Sequence, residues 1–420
     1  MSKLVCAAGA LALAAMAPVA NAASDADLAE IRKQIQSLKD EYEARIRALE
    51  DKLKDAQAKA AEPAPAPTAA SASTGLAAFN PAVSLVLQGR YANLSQDPNA
   101  FAIAGFPLGG EAGPGKRGFS LSETEMTLSA NADDRFYGQA TISIAPDNEV
   151  SVEEAFATYN AAPFGLAPKF GRFFSGIGYL NEQHQHAWDF VDAPLAYQAF
   201  LGGQYRNDGV QVKWIAPIEQ YLELGAEAGS GQEFPGSDRN KNGIGSGALY
   251  AHAGGDVGES HSWRAGVSWL RTKSDERNVK DDTGIADFVW KWAPNGNARQ
   301  TNFKVQGEYF RRREDGTSVV ESPVRLDGST YRLTQSGWYV QAVYQPIPLW
   351  RIGARYDSLD PGAADPFNPR KWTAMADWSP SEFSRVRLQY ARSETVAGVT
   401  DNQFFVQYIL SLGAHGAHKY

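Results

Sequence analysis

The sequence contains a single cysteine, Cys6, among its 420 residues, so disulfide bonds cannot hold the fold together. Beyond the N-terminal segment it also has no run near the ~18 consecutive apolar residues that a membrane-spanning helix needs. Its hydrophobic fraction of 43% and charged fraction of 21% exclude intrinsic disorder. The chain is therefore ordered, with neither a disulfide framework nor spanning helices.

Charge and motifs exclude two further classes of protein. The net charge is −8 and no basic cluster is present, which argues against a nucleic-acid partner. The sequence has no G-x-S-x-G, H-E-x-x-H, P-loop or C-x-x-C motif. We therefore predict neither nucleic-acid binding nor enzymatic activity.

The N-terminal residues have the pattern of an export signal. Lys3 precedes an apolar run over 4–17, Pro18 ends that run, and the Ala-Asn-Ala sequence at 20–22 is a small-x-small cleavage pattern. We predict a signal peptide over 1–22 and an exported mature chain.

A charged helix is predicted over 25–57, because apolar residues recur there at the alternating steps of a coiled-coil seam. The seam begins with Leu28, Ile31, Ile35, Leu38 and Tyr42. Alone, the helix has nothing against which to bury this stripe, so self-association in the periplasm is the favoured interpretation. The alternatives are a surface helix packed on the barrel of its own chain and a helix that stays largely unfolded. Residues 58–80 form a Pro/Ala/Ser linker.

From residue 81 to 420 the hydrophobic pattern has the period of two that is typical of β-strands. The candidate strands are 83–94, 119–130, 135–145, 150–160, 166–173, 205–214, 219–229, 248–256, 261–270, 284–293, 300–310, 335–345, 348–357, 371–379, 382–393 and 402–412. Their connections alternate between long segments, such as 174–204, 271–283 and 311–334, and short turns. This alternation predicts an all-β fold, a sixteen-stranded antiparallel transmembrane β-barrel with long external loops and short periplasmic turns.

The two faces of the predicted strands differ in the sense that a membrane barrel requires. Trp350, Ile352 and Ala354 share one face, whereas Arg351 and Arg355 share the other. Small apolar residues with aromatics at the ends are typical of a surface that faces lipid, with the polar row in the lumen. Sixteen strands close at a width that leaves an aqueous channel rather than a packed core.

The chain resembles the porin O and P family of outer-membrane porins, which includes phosphate-selective members. The resemblance rests on the order of segments and on three local sequences: Val-Glu-Glu-Ala-Phe-Ala at 152–157, Lys-Phe-Gly-Arg-Phe at 169–173 and Asn-Asp-Gly-Val-Gln-Val at 207–212. It implies a homotrimer whose third loop, 174–204, folds into each barrel as a constriction. Porin-like proteins associated with zinc limitation are a possible subgroup within this resemblance.

The third loop departs from the phosphate-selective pattern because it contains no lysine or arginine. Its ionisable residues are Glu182, His184, His186, Asp189 and Asp192. Phosphate selectivity is therefore not expected.

By parity, eight basic side chains point into the lumen: Arg90, Lys213, Arg264, Lys304, Arg351, Arg355, Arg385 and Arg387. The acids that oppose them include Glu123, Glu125, Glu223, Glu227, Asp287 and Glu308. Segregated charge across a pore orders water and filters solutes by charge. The alternative is an ordinary lumen lining of cross-strand ion pairs.

Four histidines are candidate ligands for a metal such as zinc: His184, His186, His415 and His418. Imidazole and carboxylate groups suit zinc, but two histidines alone leave a site incomplete, and solvated loop and tail histidines are the alternative. The aromatic C-terminal residue, Tyr420, is of the kind that barrel-assembly machinery recognises.

Together these features predict an outer-membrane porin for passive diffusion of small hydrophilic or ionic solutes. Its expected surroundings are outer-membrane lipid, two further copies of the chain in a homotrimer and the barrel-assembly machinery. The alternatives are an uptake or binding protein for zinc acquisition and a structural tether between barrel and periplasm.

Overall fold

The computed structural model describes Lys33, Gln36 and residues 81–145, 149–237, 241–275, 279–317 and 328–413. The predicted signal peptide, nearly all of the predicted coiled coil, the linker and the C-terminal His415, His418 and Tyr420 lie outside the described residues. Within the described residues, no helix is both long and apolar enough to cross a membrane.

Seventeen strands and one short α-helix make up the described regular structure, apart from single 3₁₀ turns. The strands are β1 (Ala82–Leu94), β2 (Gly118–Leu121), β3 (Thr124–Asn131), β4 (Phe136–Ile144), β5 (Val150–Tyr159), β6 (Leu166–Phe174), β7 (Arg206–Ile215), β8 (Tyr221–Gly229), β9 (Ser246–Val257), β10 (His261–Ser274), β11 (Val279–Trp292), β12 (Asn302–Thr317), β13 (Thr330–Ile347), β14 (Trp350–Asp360), β15 (Arg370–Ser381), β16 (Ser384–Val396) and β17 (Val399–Gly413). The helix α1 spans Leu195–Leu201.

All strands belong to one antiparallel sheet that closes on itself, because β1 pairs with β17 from Ser84 to Leu94. On its other edge β1 pairs first with β3 and then with β2. Those two short strands therefore occupy one position in the barrel, which leaves sixteen positions for the seventeen strands. The Gln88 side chain spans the break and donates to the Glu123 carbonyl at 2.8 Å. The predicted sixteen-stranded antiparallel barrel is confirmed.

Side chains alternate between an apolar outer face and a polar inner face. On β14, Trp350 and Ile352 are 48% and 52% exposed, whereas Arg355, on the opposite face of the strand, is 2% exposed. On β15, Trp372 and Trp378 also point outward. In a soluble barrel the apolar row fills the interior, so this inverted pattern is typical of a barrel surrounded by hydrocarbon.

The two ends of the barrel carry different connections. One end, the turn end, has the segments 132–135, 160–165, 216–220, 258–260, 293–301, 348–349 and 382–383. The other end, the loop end, has the segments 95–117, 145–149, 175–205, 230–245, 275–278, 318–329, 361–369 and 397–398. Long connections therefore occur at the loop end, although three of its connections are as short as turns.

The predicted long loops 271–283 and 311–334 are wrong as loops, because much of each segment is strand. β10 pairs with β11 as far as Ser274 and Val279, and β12 pairs with β13 as far as Thr317 and Thr330. Polar residues on these extensions form cross-strand ion pairs, such as Arg271 with Asp282 at 2.8 Å. Pairing continues there without apolar alternation, so hydrophobic period alone ends these strands too early.

Candidate functional site

The segment 175–205, here called the inner loop, contacts side chains on the inner face of the barrel and is largely buried. Asn181 joins its two ends. The Asn181 side-chain amide donates to the carbonyls of Ser175 and Tyr205, both at 2.8 Å, and its oxygen accepts the Tyr205 N–H at 2.7 Å. The third loop predicted from the sequence, 174–204, covers almost the same residues.

Helix α1 is the apolar part of the inner loop. Its sequence, Leu-Ala-Tyr-Gln-Ala-Phe-Leu, is rich in helix formers, and the helix ends at Gly202, whose φ of 71° is left-handed. All seven residues are buried. The Phe200 ring stacks on Phe310 of β12 with 5.7 Å between centroids and meets Phe106 edge-on at 5.3 Å. We call α1 and the barrel residues packed on it, Ile285, Phe310, Tyr339 and Leu359, the apolar cluster.

The buried carboxylate of Glu308 on β12 accepts several hydrogen bonds from the inner loop. Glu308 accepts the backbone N–H groups of Tyr179 and Leu180, each at 3.1 Å. It also accepts the hydroxyl groups of Tyr197 at 3.0 Å and Tyr339 at 2.6 Å. Buried polar groups are costly unless they are hydrogen-bonded, so this arrangement fixes where the loop meets the wall.

Two aspartates of the inner loop pair with basic residues of the wall, and we call this set of contacts the ion-pair cluster. Asp189 contacts the Lys304 ammonium group and lies 3.1 Å from the Arg351 guanidinium group. It also accepts a hydrogen bond from Gln341 at 3.1 Å. Arg351 in turn makes a two-point contact with Asp377 at 2.7 and 2.9 Å.

Asp192, three residues after Asp189, has an equivalent set of partners. It lies 2.5 Å from the Lys371 ammonium group and 3.1 Å from the Arg355 guanidinium group, and it accepts a hydrogen bond from Gln389 at 2.8 Å. Arg355 also contacts Asp357 at 3.0 Å. The backbone N–H of Leu195, at the start of α1, donates to that Asp357 at 2.9 Å.

The inner loop covers two residues that the sequence analysis placed along the open lumen. Arg355 and Arg387 are 2% and 0% exposed, and Arg387 donates to the Trp188 carbonyl at 2.8 Å and to Asp377 at 3.3 Å. The prediction that Arg355 and Arg387 are exposed to solute in the lumen is therefore wrong, although both lie on the inner face. Strand parity gives the face of a residue, but not what covers that face.

Arg385 and Arg90 also lie on the inner face. Arg385 lies 4.0 Å from Asp377, and its Nε and Nη1 atoms make no hydrogen bond to the described residues. Arg90 lies against Gly115, where a Cβ atom would come within 1.6 Å of its guanidinium group. The φ of +74° at position 115 favours glycine, and a larger residue there would also displace the Arg90 guanidinium group.

A cavity of about 1170 Å³ lies between the inner loop and the barrel wall and extends to the turn end, where Gly258 and Ala293 border it. The basic residues along it are Lys169, Lys213, Arg264, Lys291, Lys304 and Arg351. The glutamates along it include Glu125, Glu154, Glu182 and Glu223. Four of the eight basic residues singled out by parity thus border this cavity.

Some of these charges are paired across the cavity wall. Lys213 on β7 lies 2.6 Å from Glu182 of the inner loop and 3.8 Å from Glu223 of β8. Arg264 on β10 lies 3.9 Å from Asp287 and donates to the Gly178 carbonyl at 3.4 Å. The inner loop therefore contributes to both the wall and the charge of the cavity.

The two inner-loop histidines lie beside glutamates of β3 and β5. His184 Nδ1 is 3.0 Å from Glu125 and 3.3 Å from Glu153, and its Nε2 is 3.2 Å from Glu154. His186 Nδ1 is 3.0 Å from the other oxygen of Glu125. The imidazole rings stack with 5.6 Å between centroids.

Glu153 and Glu154 are the neighbours that the sequence analysis did not name as site residues. Adjacent strand residues normally point to opposite faces. Here the pairing of β4 with β5 shifts between Thr141 and Ile142, and both glutamates are buried, at 2% and 6% exposure. A bulge places two successive side chains on the same side of the sheet. In the sequence, the one sign of this bulge is the pair of adjacent glutamates within a predicted strand.

Comparison with known proteins identifies a relative and a fold. No family model matches the chain. An uncharacterized protein of Aquifex aeolicus (strain VF5) is 31% identical over 343 residues, which cover 73% of this chain and 71% of that protein. The chain belongs to the same family as this Aquifex protein.

Solved structures of outer-membrane proteins share the fold. OmpT of Vibrio cholerae in its trimer form has a TM-score of 0.51 at 10% identity, covering 79% of this chain and 99% of OmpT. An anion-selective porin from Comamonas acidovorans has a TM-score of 0.51 at 9% identity, with the same coverage of 79% and 99%. The architecture is therefore that of outer-membrane porins, and membership in the porin O and P family stays a prediction.

Proposed function

We propose that the chain forms a water-filled channel in the bacterial outer membrane, through which small hydrophilic or ionic solutes diffuse passively. The observation that carries this proposal is the cavity of about 1170 Å³, bordered by charged side chains of both the wall and the inner loop. An apolar outer face suits lipid, and barrels of about sixteen strands are wide enough for an aqueous lumen. The signal peptide predicted over 1–22 supports export to that membrane.

The inner loop is the proposed constriction of this channel. Its apolar cluster and ion-pair cluster hold it against the wall formed by β11–β15. Its other surface, including Glu182, His184 and His186, borders the cavity. Solutes that enter the cavity therefore meet these inner-loop residues on one side and wall residues such as Arg264 and Lys304 on another.

The cavity charges favour a transverse electric field as the filter. Glu125 and Glu154 lie on β3 and β5, and Arg264, Lys291 and Lys304 lie on β10, β11 and β12. Between the two groups, Lys169, Lys213 and Glu223 lie on β6, β7 and β8. In a barrel of sixteen strand positions these two groups lie about half-way around from each other. Separated charges in a narrow, low-dielectric passage act strongly on the charge and dipole of a solute.

The assembly is part of the same proposal. A homotrimer agrees with the coiled-coil seam predicted over 25–57, because that helix needs partners for its apolar stripe. OmpT, which shares the fold, is described in a trimer form. The outer faces of the barrels meet lipid and one another in such a trimer.

Planar-bilayer recording of the purified, folded chain tests the channel directly. We expect stepwise current increases, grouped in threes when a trimer inserts. Heat-modifiable electrophoretic mobility, recorded on the same sample, shows that the barrel is folded. Folded protein that inserts but carries no current contradicts the channel and favours a plugged barrel with a tethering role.

The same recording tests the transverse field with one matched pair of variants on β10. Arg264→Gln removes a charge at the cavity, whereas Lys273→Gln removes one from the same strand beyond it, at a surface pocket of the loop end. In a potassium chloride gradient, we expect Arg264→Gln to shift the reversal potential toward cation preference and Lys273→Gln to leave it near the wild-type value. Equal shifts in the two variants contradict the proposed filter.

A further inference from the structure

A cluster of titratable groups lies where the inner loop meets β3 and β5, outside the contacts that hold the loop to β11–β15. Its members are Glu123, Glu125, Glu153, Glu154, His184 and His186. We call it the His–Glu cluster. Glu125, Glu154, His184 and His186 border the cavity, so a small ion can reach it from the lumen.

The donor atoms are spaced as in a coordination shell. One ligand atom each from Glu125, His184 and His186 lies within 4.8 Å of the others. The closest nitrogen–oxygen separations are 3.0 Å from His184 to one oxygen of Glu125, 3.0 Å from His186 to its other oxygen, and 3.3 Å for His184 with Glu153. A tetrahedral ion with ligand distances of ~2.0–2.2 Å holds neighbouring ligand atoms roughly 3.3–3.6 Å apart. Only small shifts of the side chains separate this arrangement from a metal shell.

Charge balance and unsatisfied atoms point to a bound cation. Four carboxylates face two imidazoles, so acid groups remain in excess even if both rings are protonated. Glu153 is 2% exposed, and its Oε2 atom lies 3.3 Å from His184 Nδ1 in an approach that lacks hydrogen-bond geometry. The Oε2 atom of Glu123 accepts no hydrogen bond from the described residues. Buried carboxylate oxygens are costly without a partner, and a divalent ion supplies both the charge and the bonds.

We propose that Glu125, His184 and His186 bind one divalent transition-metal ion, next to Glu153, whose carboxylate lies 3.3 Å from His184 Nδ1. Imidazole together with carboxylate suits Zn²⁺, and three protein ligands leave the fourth tetrahedral position to a water molecule. The ion links the inner loop to β3 and β5, on the side of the lumen opposite the apolar cluster. This binding does not depend on whether the barrel conducts.

Isothermal titration of Zn²⁺ into the full-length chain, folded in detergent, tests the site. The reference protein carries His415→Ala and His418→Ala, so that the C-terminal histidines do not contribute. We expect it to bind one Zn²⁺ per chain. Adding His184→Ala and His186→Ala is expected to lower the affinity by about 100-fold or more, because losing even a supporting group of a metal ligand costs ~10–100-fold.

A third histidine gives the matched control. His261 borders the same cavity and stacks on Trp290, outside the His–Glu cluster. His261→Ala in the reference protein is expected to bind Zn²⁺ with unchanged affinity. Equal affinity in the His184→Ala/His186→Ala protein, or no binding by the reference protein, overturns the proposal.

The conservative substitution Glu125→Gln decides the result if the histidine variant fails to fold. It keeps the shape of the side chain and removes the charge that both imidazoles share. We expect about 10–100-fold weaker Zn²⁺ binding, with heat-modifiable mobility preserved. Unchanged affinity in this variant also overturns the site. Because heat of binding is measured without current, a negative result here leaves the bilayer test of the channel unaffected.

Discussion

The apolar cluster and the ion-pair cluster hold the same inner loop against the same wall by different physical means. In the apolar cluster, Phe200 and the other residues of α1 are buried among side chains of β11–β14. In the ion-pair cluster, Asp189 and Asp192 each lie between two cations and a glutamine amide. Burial of apolar surface is non-directional, whereas charge-assisted hydrogen bonds fix geometry.

The apolar contacts supply most of the stability, whereas the ion pairs fix the position of the inner loop. Burial alone would raise the pKa of Asp192, but Lys371 and Arg355 outweigh it and lower that pKa below its usual range. The carboxylate therefore stays ionised and keeps its cations in place. Since desolvation offsets much of the attraction within a buried ion pair, we expect the apolar cluster to contribute more to the free energy of unfolding.

Removing the Phe200 ring deletes the largest apolar contact of the inner loop. Phe200→Ala is expected to lower the free energy of unfolding by about 3–5 kcal/mol, the usual cost of deleting a buried phenylalanine ring. Urea titration of the chain folded into lipid vesicles measures the change. Phe164→Ala is the control, because Phe164 lies in a turn and is 86% exposed. Similar losses in both variants contradict a dominant apolar cluster.

The strands that carry both clusters were predictable from sequence, whereas the clusters were not. The alternation of Arg351 and Arg355 with Trp350 and Ile352 gives the inner face of β14 from sequence alone. The covering of Arg355 by the inner loop depends on contacts between residues far apart in the chain, such as Asp192 with Arg355. Hydrophobic period carries no information about such pairs.

The second variant tests the ion-pair cluster. Asp192→Asn keeps the shape of the side chain but removes the charge that faces Lys371 and Arg355. We expect a loss of about 1.5–3 kcal/mol in the free energy of unfolding, typical of a hydrogen bond to a charged group, because Arg355 keeps Asp357 as a partner. The same urea titration measures it.

An exposed ion pair gives the control for Asp192→Asn. Asp315 contacts Arg313 and Arg332 on the strand extensions of the loop end, where water solvates the charges. Asp315→Asn is therefore expected to leave the free energy of unfolding nearly unchanged. If Asp192→Asn also leaves the free energy of unfolding nearly unchanged, the ion-pair cluster fixes the position of the loop but contributes no measurable stability.

The glutamates of the His–Glu cluster that lie on β5 could not be assigned to the site from the sequence. His184 and His186 attract notice in the sequence because they flank one glutamine in an acidic loop. Strict alternation, however, assigns Glu153 and Glu154 to opposite faces. The register shift between Thr141 and Ile142 brings both to the histidines, and no periodicity argument locates that shift.

The smallest effect is expected where the inner loop meets the first long loop. Gln198 of α1 accepts the Gly113 N–H at 3.0 Å and donates to the Ala193 carbonyl at 2.8 Å, and it is 3% exposed. Gln198→Ala removes both bonds and leaves the ring contacts of Phe200 in place. We expect a loss of about 0.5–1.5 kcal/mol in the free energy of unfolding.

Gln96 provides the comparison for this last variant, because its side chain donates to the Thr400 carbonyl at 3.0 Å in an exposed position. Water replaces that bond when it is lost, so Gln96→Ala is expected to be nearly neutral in the same urea titration. A Gln198→Ala loss as large as that of Phe200→Ala is inconsistent with the apolar cluster as the main source of stability. In that case, hydrogen bonds between the two long loops, rather than burial of α1, hold the inner loop in the barrel.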